Sequence, residues 1–90
     1  MSNTNQWFVY ILACNDNSLY TGITTNLERR VNEHNEGKKG AKYTRARRPV
    51  KLVYSEVAPD RSTATQRELT LKSLSSDKKR ELIKQANHYK

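Results

Sequence analysis

Two short tyrosine triplets, Val9-Tyr10-Ile11 and Tyr20-Thr21-Gly22, are followed by Arg30, ten residues past Tyr20, and His34, fourteen past it. The chain carries five tyrosines against one phenylalanine. That ratio indicates that hydroxyls are wanted at the ends of buried rings, where they bond phosphate or shuttle a proton. Each tyrosine also has a plainer reading as a half-buried strand or loop aromatic. Glu68 is a further anomaly, a carboxylate beside an apolar helical stripe in a chain with 9 acidic and 17 basic residues. It suits a hard divalent cation such as Mg²⁺. Equally, it suits an ion pair with Lys72 at i+4, worth only ~0.3–0.5 kcal/mol. Cys14 and the two histidines lack zinc spacing, and neither a Gly-rich phosphate loop nor a Ser-His-Asp arrangement is present.

The elements that must position these groups follow from pattern. Trp7 to Cys14 is aromatic and β-branched and reads as a buried strand. Asn15-Asp16-Asn17-Ser18 reads as a turn, because Asn and Asp bond their own backbone and tolerate positive φ. Leu19 to Ile23 is the returning strand of a hairpin. If both tyrosines serve one site, the two-residue side-chain period demands an odd-numbered loop or a bulge. Thr25-Asn26-Leu27-Glu28 has capping-box spacing, which predicts a helix from Thr25 to a left-handed end at Gly37. At 100° per residue, Leu27 and Val31 face the sheet with position 34, while position 30 flanks them. Arg29, Asn32, Glu33 and Glu36 take the outer faces. An arginine beside a buried seam needs an anion or a wet cleft. A histidine there is either a satisfied core residue or a functional partner of Arg30.

Beyond the basic stretch, Val50 to Tyr54 reads as a third strand. Thr63 and Gln66 cap a second helix running to about Leu74, and a last helix carries Leu82, Ile83 and Ala86. The expected class is α/β (α+β): a small three-stranded antiparallel or mixed sheet flanked by helices, in the order ββαβαα. Residues 1–6 are polar and read as a disordered tail, leaving one domain over 7–88.

With 34% apolar and 29% charged residues, the chain suits a compact soluble domain rather than a disordered one. No apolar run nears the ~20 residues of a membrane span. One cysteine and no signal-peptide pattern point to the cytoplasm. The net charge of +8 is concentrated. Lys38, Lys39, Lys42, Arg45, Arg47, Arg48 and Lys51 follow one another without an intervening acid. Such a block attracts polyanions, nucleic acid above all, although it could also be a solubilising surface. Tyr43 and Thr44 lie inside it, and aromatic residues among cations suit base stacking with phosphate contact.

In order, Phe8-Val9-Tyr10-Ile11-Leu12, Ser18 to Thr24, Asn26-Leu27-Glu28-Arg29-Arg30 with His34, Gly40 to Arg45, Arg48-Pro49-Val50 and Arg67-Glu68 resemble the GIY-YIG nuclease superfamily. Within it, the chain resembles the small stand-alone bacterial members of the UPF0213 type. Val9 stands where the first motif has Gly, and Thr21 where the second has Ile. The resemblance implies a Mg²⁺- or Mn²⁺-dependent endonuclease acting on nucleic acid, DNA before RNA, in DNA repair or processing, with one divalent ion, no membrane and no small-molecule cofactor. It implies Tyr10 as general base or proton relay, Tyr20 as a hydrogen-bond partner of the scissile phosphate or the attacking water, and Arg30 as stabiliser of phosphoryl charge. His34 would assist proton transfer, Glu68 would hold the metal, and Gly22 would keep the cleft uncrowded. The nucleic-acid surface would comprise Lys38, Lys39, Lys42, Tyr43, Thr44, Arg45, Arg47 and Arg48. The rival reading is a non-catalytic nucleic-acid-binding module of the same fold, and a weaker one is a small basic ribosome- or RNA-associated protein.

Overall fold

The computed structural model describes residues 6–37 and 39–88. The expected tail, apart from Gln6, and the expected contact Lys38 lie outside the described residues. In chain order the elements are β1 (Trp7–Ala13), β2 (Leu19–Thr24), α1 (Leu27–Glu36), α2 (Lys42–Arg45), β3 (Lys51–Ala58), α3 (Arg61–Ser73) and α4 (Ser76–His88). The three strands form one antiparallel sheet in the order β2-β1-β3. The expected order therefore holds, with one addition. The basic stretch contains a single helical turn, α2.

Strand alternation divides the core into two layers. Val9 and Ile11 pack with Ala58, Ala64 and Leu71 beneath α3 and α4. Tyr10, Leu12, Cys14 and Val50 point the other way and are covered by Leu27 and Val31 of α1. Residues directly opposite on paired strands share a face. Tyr10 lies opposite Gly22 and Leu12 opposite Tyr20, so both motif tyrosines emerge on the α1 side. The hairpin achieves this with an odd loop. The Cys14 amide donates to the Ser18 carbonyl at 2.9 Å, leaving three residues at the tip, among them Asn17 at φ +70°.

The helix ends differ from the sequence expectation. Asn26, not Thr25, caps α1 by accepting from the Arg29 amide at 3.0 Å. Thr24 takes up the preceding position, its hydroxyl accepting from the Asn26 amide at 3.1 Å. Gly37 has φ −89° and no left-handed turn. Arg48 does the capping instead. Its guanidinium donates to the carbonyls of His34 and Gly37, each at 2.6 Å, and reaches that of Glu33 at 3.4 Å. Gly40 lets the chain fold back against this end, since a Cβ there would lie 2.6 Å from the Glu33 carbonyl oxygen. Asn35 fixes the approach to β3 by bonding both backbone groups of Val50, at 2.7 and 3.0 Å.

The third strand runs four residues further than expected, and a register shift between Ile11 and Leu12 bends its pairing with β1. On α3 the cap is Asp60, accepting from the Thr63 amide at 2.8 Å, so that helix starts ahead of the expected Thr63. Arg67 of α3 donates to Glu56 at 2.6 Å, and Glu56 also accepts from Tyr54, which ties α3 to β3.

Candidate functional site

Tyr10 is carried by the central strand, with 1% of its surface exposed. Its hydroxyl lies 2.9 Å from Nε2 of His34, which α1 delivers from the opposite side of the layer. His34 is completely buried. Its other ring nitrogen, Nδ1, lies 2.7 Å from Oγ1 of Thr44 on α2. The Thr44 hydroxyl in turn donates to the Ala41 carbonyl at 2.9 Å. A continuous hydrogen-bonded chain thus runs from β1 through α1 to α2.

Tyr20, half-buried, sets its ring edge-on to His34 with centroids 5.2 Å apart. Its other neighbour is Tyr43, stacked at 5.9 Å and 27°. The Arg47 guanidinium lies 3.9 Å from the Tyr43 ring centre, held by Asp16 of the hairpin loop at 2.9 Å and the Tyr43 carbonyl at 3.0 Å. Flat groups therefore pile outward from the buried histidine toward solvent.

Arg30 occupies the flank expected of it, and the anion it needs is Glu33. Its Nη1 donates to the Glu33 carboxylate and to the Lys39 carbonyl, both at 2.9 Å. The sequence reading put Glu33 on the outer face; instead it is half-buried against Arg30. The i, i+3 spacing was the available signal. This second bond also ties the start of the basic segment to α1.

These surroundings set the protonation states. Burial pushes the Tyr10 phenol up to about 12, against the hydrogen bonding and charge of Arg30, with Tyr20 and the Glu68 carboxylate adding to the rise. Burial, followed by the positive charge of Arg30, drives the His34 imidazole down to about 4; Glu33 opposes this and Arg48 adds to it. At neutral pH both groups are uncharged. A neutral imidazole keeps one ring nitrogen able to accept a proton, and a neutral phenol has one to give.

Glu68 sits apart on α3. It is half-buried and its carboxylate lies 3.1 Å from Lys72 Nζ, the ion pair that the sequence offered as the alternative to metal binding. Its charge nevertheless reaches Tyr10. Among the described residues no three His, Cys, Asp or Glu side chains gather in the manner of a protein cage for a metal. A lone carboxylate does fit Mg²⁺, which keeps several waters and takes one or two carboxylates together with substrate phosphate.

The basic segment divides in two. Lys39, Lys42, Tyr43 and Arg45 are exposed. Thr44 and Arg48 are not the outward contacts the sequence suggested. Thr44 is fully buried as the partner of His34, and the guanidinium of Arg48 is spent on the carbonyls ending α1. Arg47 is intermediate, half-exposed but tethered. The role of Thr44 had no signal in sequence, because ten residues separate it from His34 and no helical period connects them. The hollow on the outer face of α1, between Asn26, Arg29, Asn32 and Glu36, contains none of the tyrosines.

The tyrosine pair on one sheet face, with the arginine and histidine of the following helix beside it, is the arrangement of a known domain. The GIY-YIG catalytic domain family matches residues 6–81. The chain belongs to the GIY-YIG family. This GIY-YIG domain is 60% identical over 78 residues to a UPF0213 protein of Desulfotalea psychrophila, covering 87% of this chain and 71% of that one. It is 54% identical to a UPF0213 protein of Syntrophus aciditrophicus, with 87% and 90% of the two chains covered. Among solved structures, a UPF0213 protein from Bacillus halodurans, determined by solution NMR, matches at 44% identity and TM-score 0.56 over 88% of this chain and 83% of that one. A protein from E. faecalis, also from solution NMR, matches at 40% identity and TM-score 0.61, covering 100% and 94%. The GIY-YIG fold is a nuclease-type fold. No helix among the described residues is long and apolar enough to cross a membrane.

Proposed function

We propose that the protein is a Mg²⁺- or Mn²⁺-dependent nuclease that hydrolyses phosphodiester bonds of nucleic acid, DNA before RNA, in DNA repair or processing. The observation that carries the reading is the bond from the Tyr10 hydroxyl to His34, with Arg30 and Tyr20 alongside and exposed cations on the adjoining turn. A phenol near 12 is too weakly acidic to act as a standing phenolate at neutral pH. It acts instead as a relay, accepting a proton from the attacking water while giving its own to the imidazole. Arg30 places a fixed positive charge beside the phenol oxygen, where charge builds on the phosphoryl group. Tyr20, through its hydroxyl, bonds the phosphate or the water. Lys39, Lys42 and Arg45, together with the partly exposed Arg47, grip the backbone on either side. Glu68 would hold the divalent ion, which when bound polarises the phosphoryl oxygen and neutralises the leaving one.

The Glu68–Lys72 pair favours a second reading, a binding module that grips nucleic acid without cutting it. The deciding experiment is a nicking assay on structured DNA and RNA, with and without Mg²⁺ or Mn²⁺, comparing wild type with Glu68→Gln. Gln keeps the volume and removes the charge, so nicking should fall by orders of magnitude while binding holds or tightens. If wild type and variant both bind and neither nicks with either ion, the binding module is the correct reading.

A further inference from the structure

The Tyr10–His34–Thr44 chain has a direction, and counting hydrogens fixes it. Thr44 Oγ1 carries a single hydrogen and faces two partners, Nδ1 of His34 at 2.7 Å and the Ala41 carbonyl oxygen at 2.9 Å. A carbonyl oxygen only accepts, so the contact with Ala41 is a bond only when Thr44 donates to it. The hydroxyl then has only lone pairs to offer His34, and Nδ1 must be the protonated nitrogen. Nε2 is left as an acceptor, and the Tyr10 hydroxyl must be its donor. The reverse arrangement would press two oxygen lone pairs together at 2.9 Å in a site from which water is excluded. His34 and Thr44 are both 0% exposed, so water offers neither of them a substitute partner.

We propose that Thr44 is the positioning residue that fixes the tautomer of His34, holding the proton on Nδ1 so that Nε2 stays open to receive the proton of Tyr10. This rests on the reading of Tyr10 as a relay, and it deepens that reading. With the chain in this direction, Tyr10 remains neutral throughout. As water attacks phosphorus, one water O–H bond breaks and a new O–H bond forms on Tyr10. The hydrogen that Tyr10 already held moves to Nε2, giving an imidazolium with both nitrogens protonated. The new P–O bond forms, the bond to the leaving oxygen breaks, and that oxygen takes a proton from solvent. The imidazolium then returns its proton to solvent through Tyr10. In the opposite direction Nε2 would already carry hydrogen and could accept nothing, so Tyr10 would have to start as a phenolate.

A further consequence follows from where Thr44 sits. It is flanked on α2 by Tyr43, which stacks on Tyr20, and by the exposed Arg45. The turn that meets nucleic acid on its outside therefore sets the proton chain on its inside.

The test reads the tautomer directly, from the two imidazole nitrogen shifts of ¹⁵N-labelled His34 in the folded chain, and reads nicking separately. Wild type should show hydrogen on Nδ1, and Thr44→Ser, which keeps the hydroxyl, should preserve both the tautomer and the rate. Thr44→Val, nearly the same shape without a donor or acceptor, should shift the ring toward Nε2–H. It should also slow nicking on the order of 10²-fold at unchanged affinity for nucleic acid. A wild-type ring protonated on Nε2, or a Thr44→Val ring that keeps Nδ1–H at the wild-type rate, would overturn the proposal. Should Thr44→Val fail to fold, the wild-type and Thr44→Ser spectra still decide. A ring that switches as expected in a protein that nicks nothing sustains the role of Thr44 and overturns the nuclease reading instead.

Discussion

Gly22 lies directly opposite Tyr10 across the β1–β2 pair, and a Cβ at position 22 would stand 2.5 Å from the Tyr10 hydroxyl oxygen and 2.7 Å from the ring carbon that bears it. The glycine that closes the second motif is thus required by the ring that centres the first. The phenol has no freedom to retreat, because its oxygen is bonded to a buried histidine.

Gly22→Ala should therefore push Tyr10 off His34. Overpacking of this kind costs about 1–3 kcal/mol. Chemical denaturation should register that loss, and nicking should fall further than stability alone explains. An alanine variant with wild-type stability and activity would show that the ring moves more freely than its surroundings suggest.

The histidine makes stability pH-dependent with a definite sign. Its folded value of about 4 lies below the unfolded value near 6.5. As pH falls below 6.5, the unfolded chain takes up a proton that the folded chain refuses, so stability is full above 6.5 and declines toward pH 4. The total is about 3 kcal/mol. Urea midpoints between pH 7.5 and 4 should show this slope in wild type and lose most of it in His34→Gln. Asp16, Asp60 and Glu33, whose carboxyls are held low by hydrogen bonds, contribute to both proteins and cancel in the difference.

The two classes of cation should separate experimentally. Lys42→Ala with Arg45→Ala should weaken nucleic-acid binding and flatten its salt dependence by roughly two units of log–log slope, at unchanged stability. Arg48→Ala should instead lower stability by ~1–3 kcal/mol, since it leaves the carbonyls at the end of α1 without their donor. Titrations at several salt concentrations and melting curves on the same samples distinguish the two.

Thr21, in the place where the second motif has Ile, is 3% exposed, and its hydroxyl has no hydrogen-bond partner among the described residues. Thr21→Val, nearly isosteric, should raise stability by about 1–2 kcal/mol. It should leave nicking unaffected, because position 21 faces away from Tyr10. A destabilised valine variant would mean that the hydroxyl is satisfied in solution.

The strands, the odd hairpin loop and the flank position of Arg30 were legible because each follows from a period of two or 3.6 residues. The same periods could not show which polar group ends a helix. Asn26 and Thr25 are both competent caps, and Asn26 prevails here because the Thr24 hydroxyl engages its amide. Gly37 looked like a left-handed terminus, but an arginine eleven residues later does that work through side-chain donors. The site was half legible. Tyr10, Tyr20, Arg30 and His34 share one neighbourhood as their spacing implied. The partner that orients His34 lies in a segment whose charge suggested only an outward role, and charge patterning says nothing about the one residue in it that turns inward.

Both nitrogens of His34 are engaged and sealed from water, and the sulfur of Cys14 is buried in the same layer. A thiophilic or imidazole-seeking ion such as zinc, nickel or copper meets neither of these as a free soft donor, whereas oxygen donors remain in the Tyr20 phenol, in Glu68 and in any bound phosphate. The donors left on offer are therefore oxygens. Selectivity for hard ions would arise from what the fold has hidden as much as from what it displays.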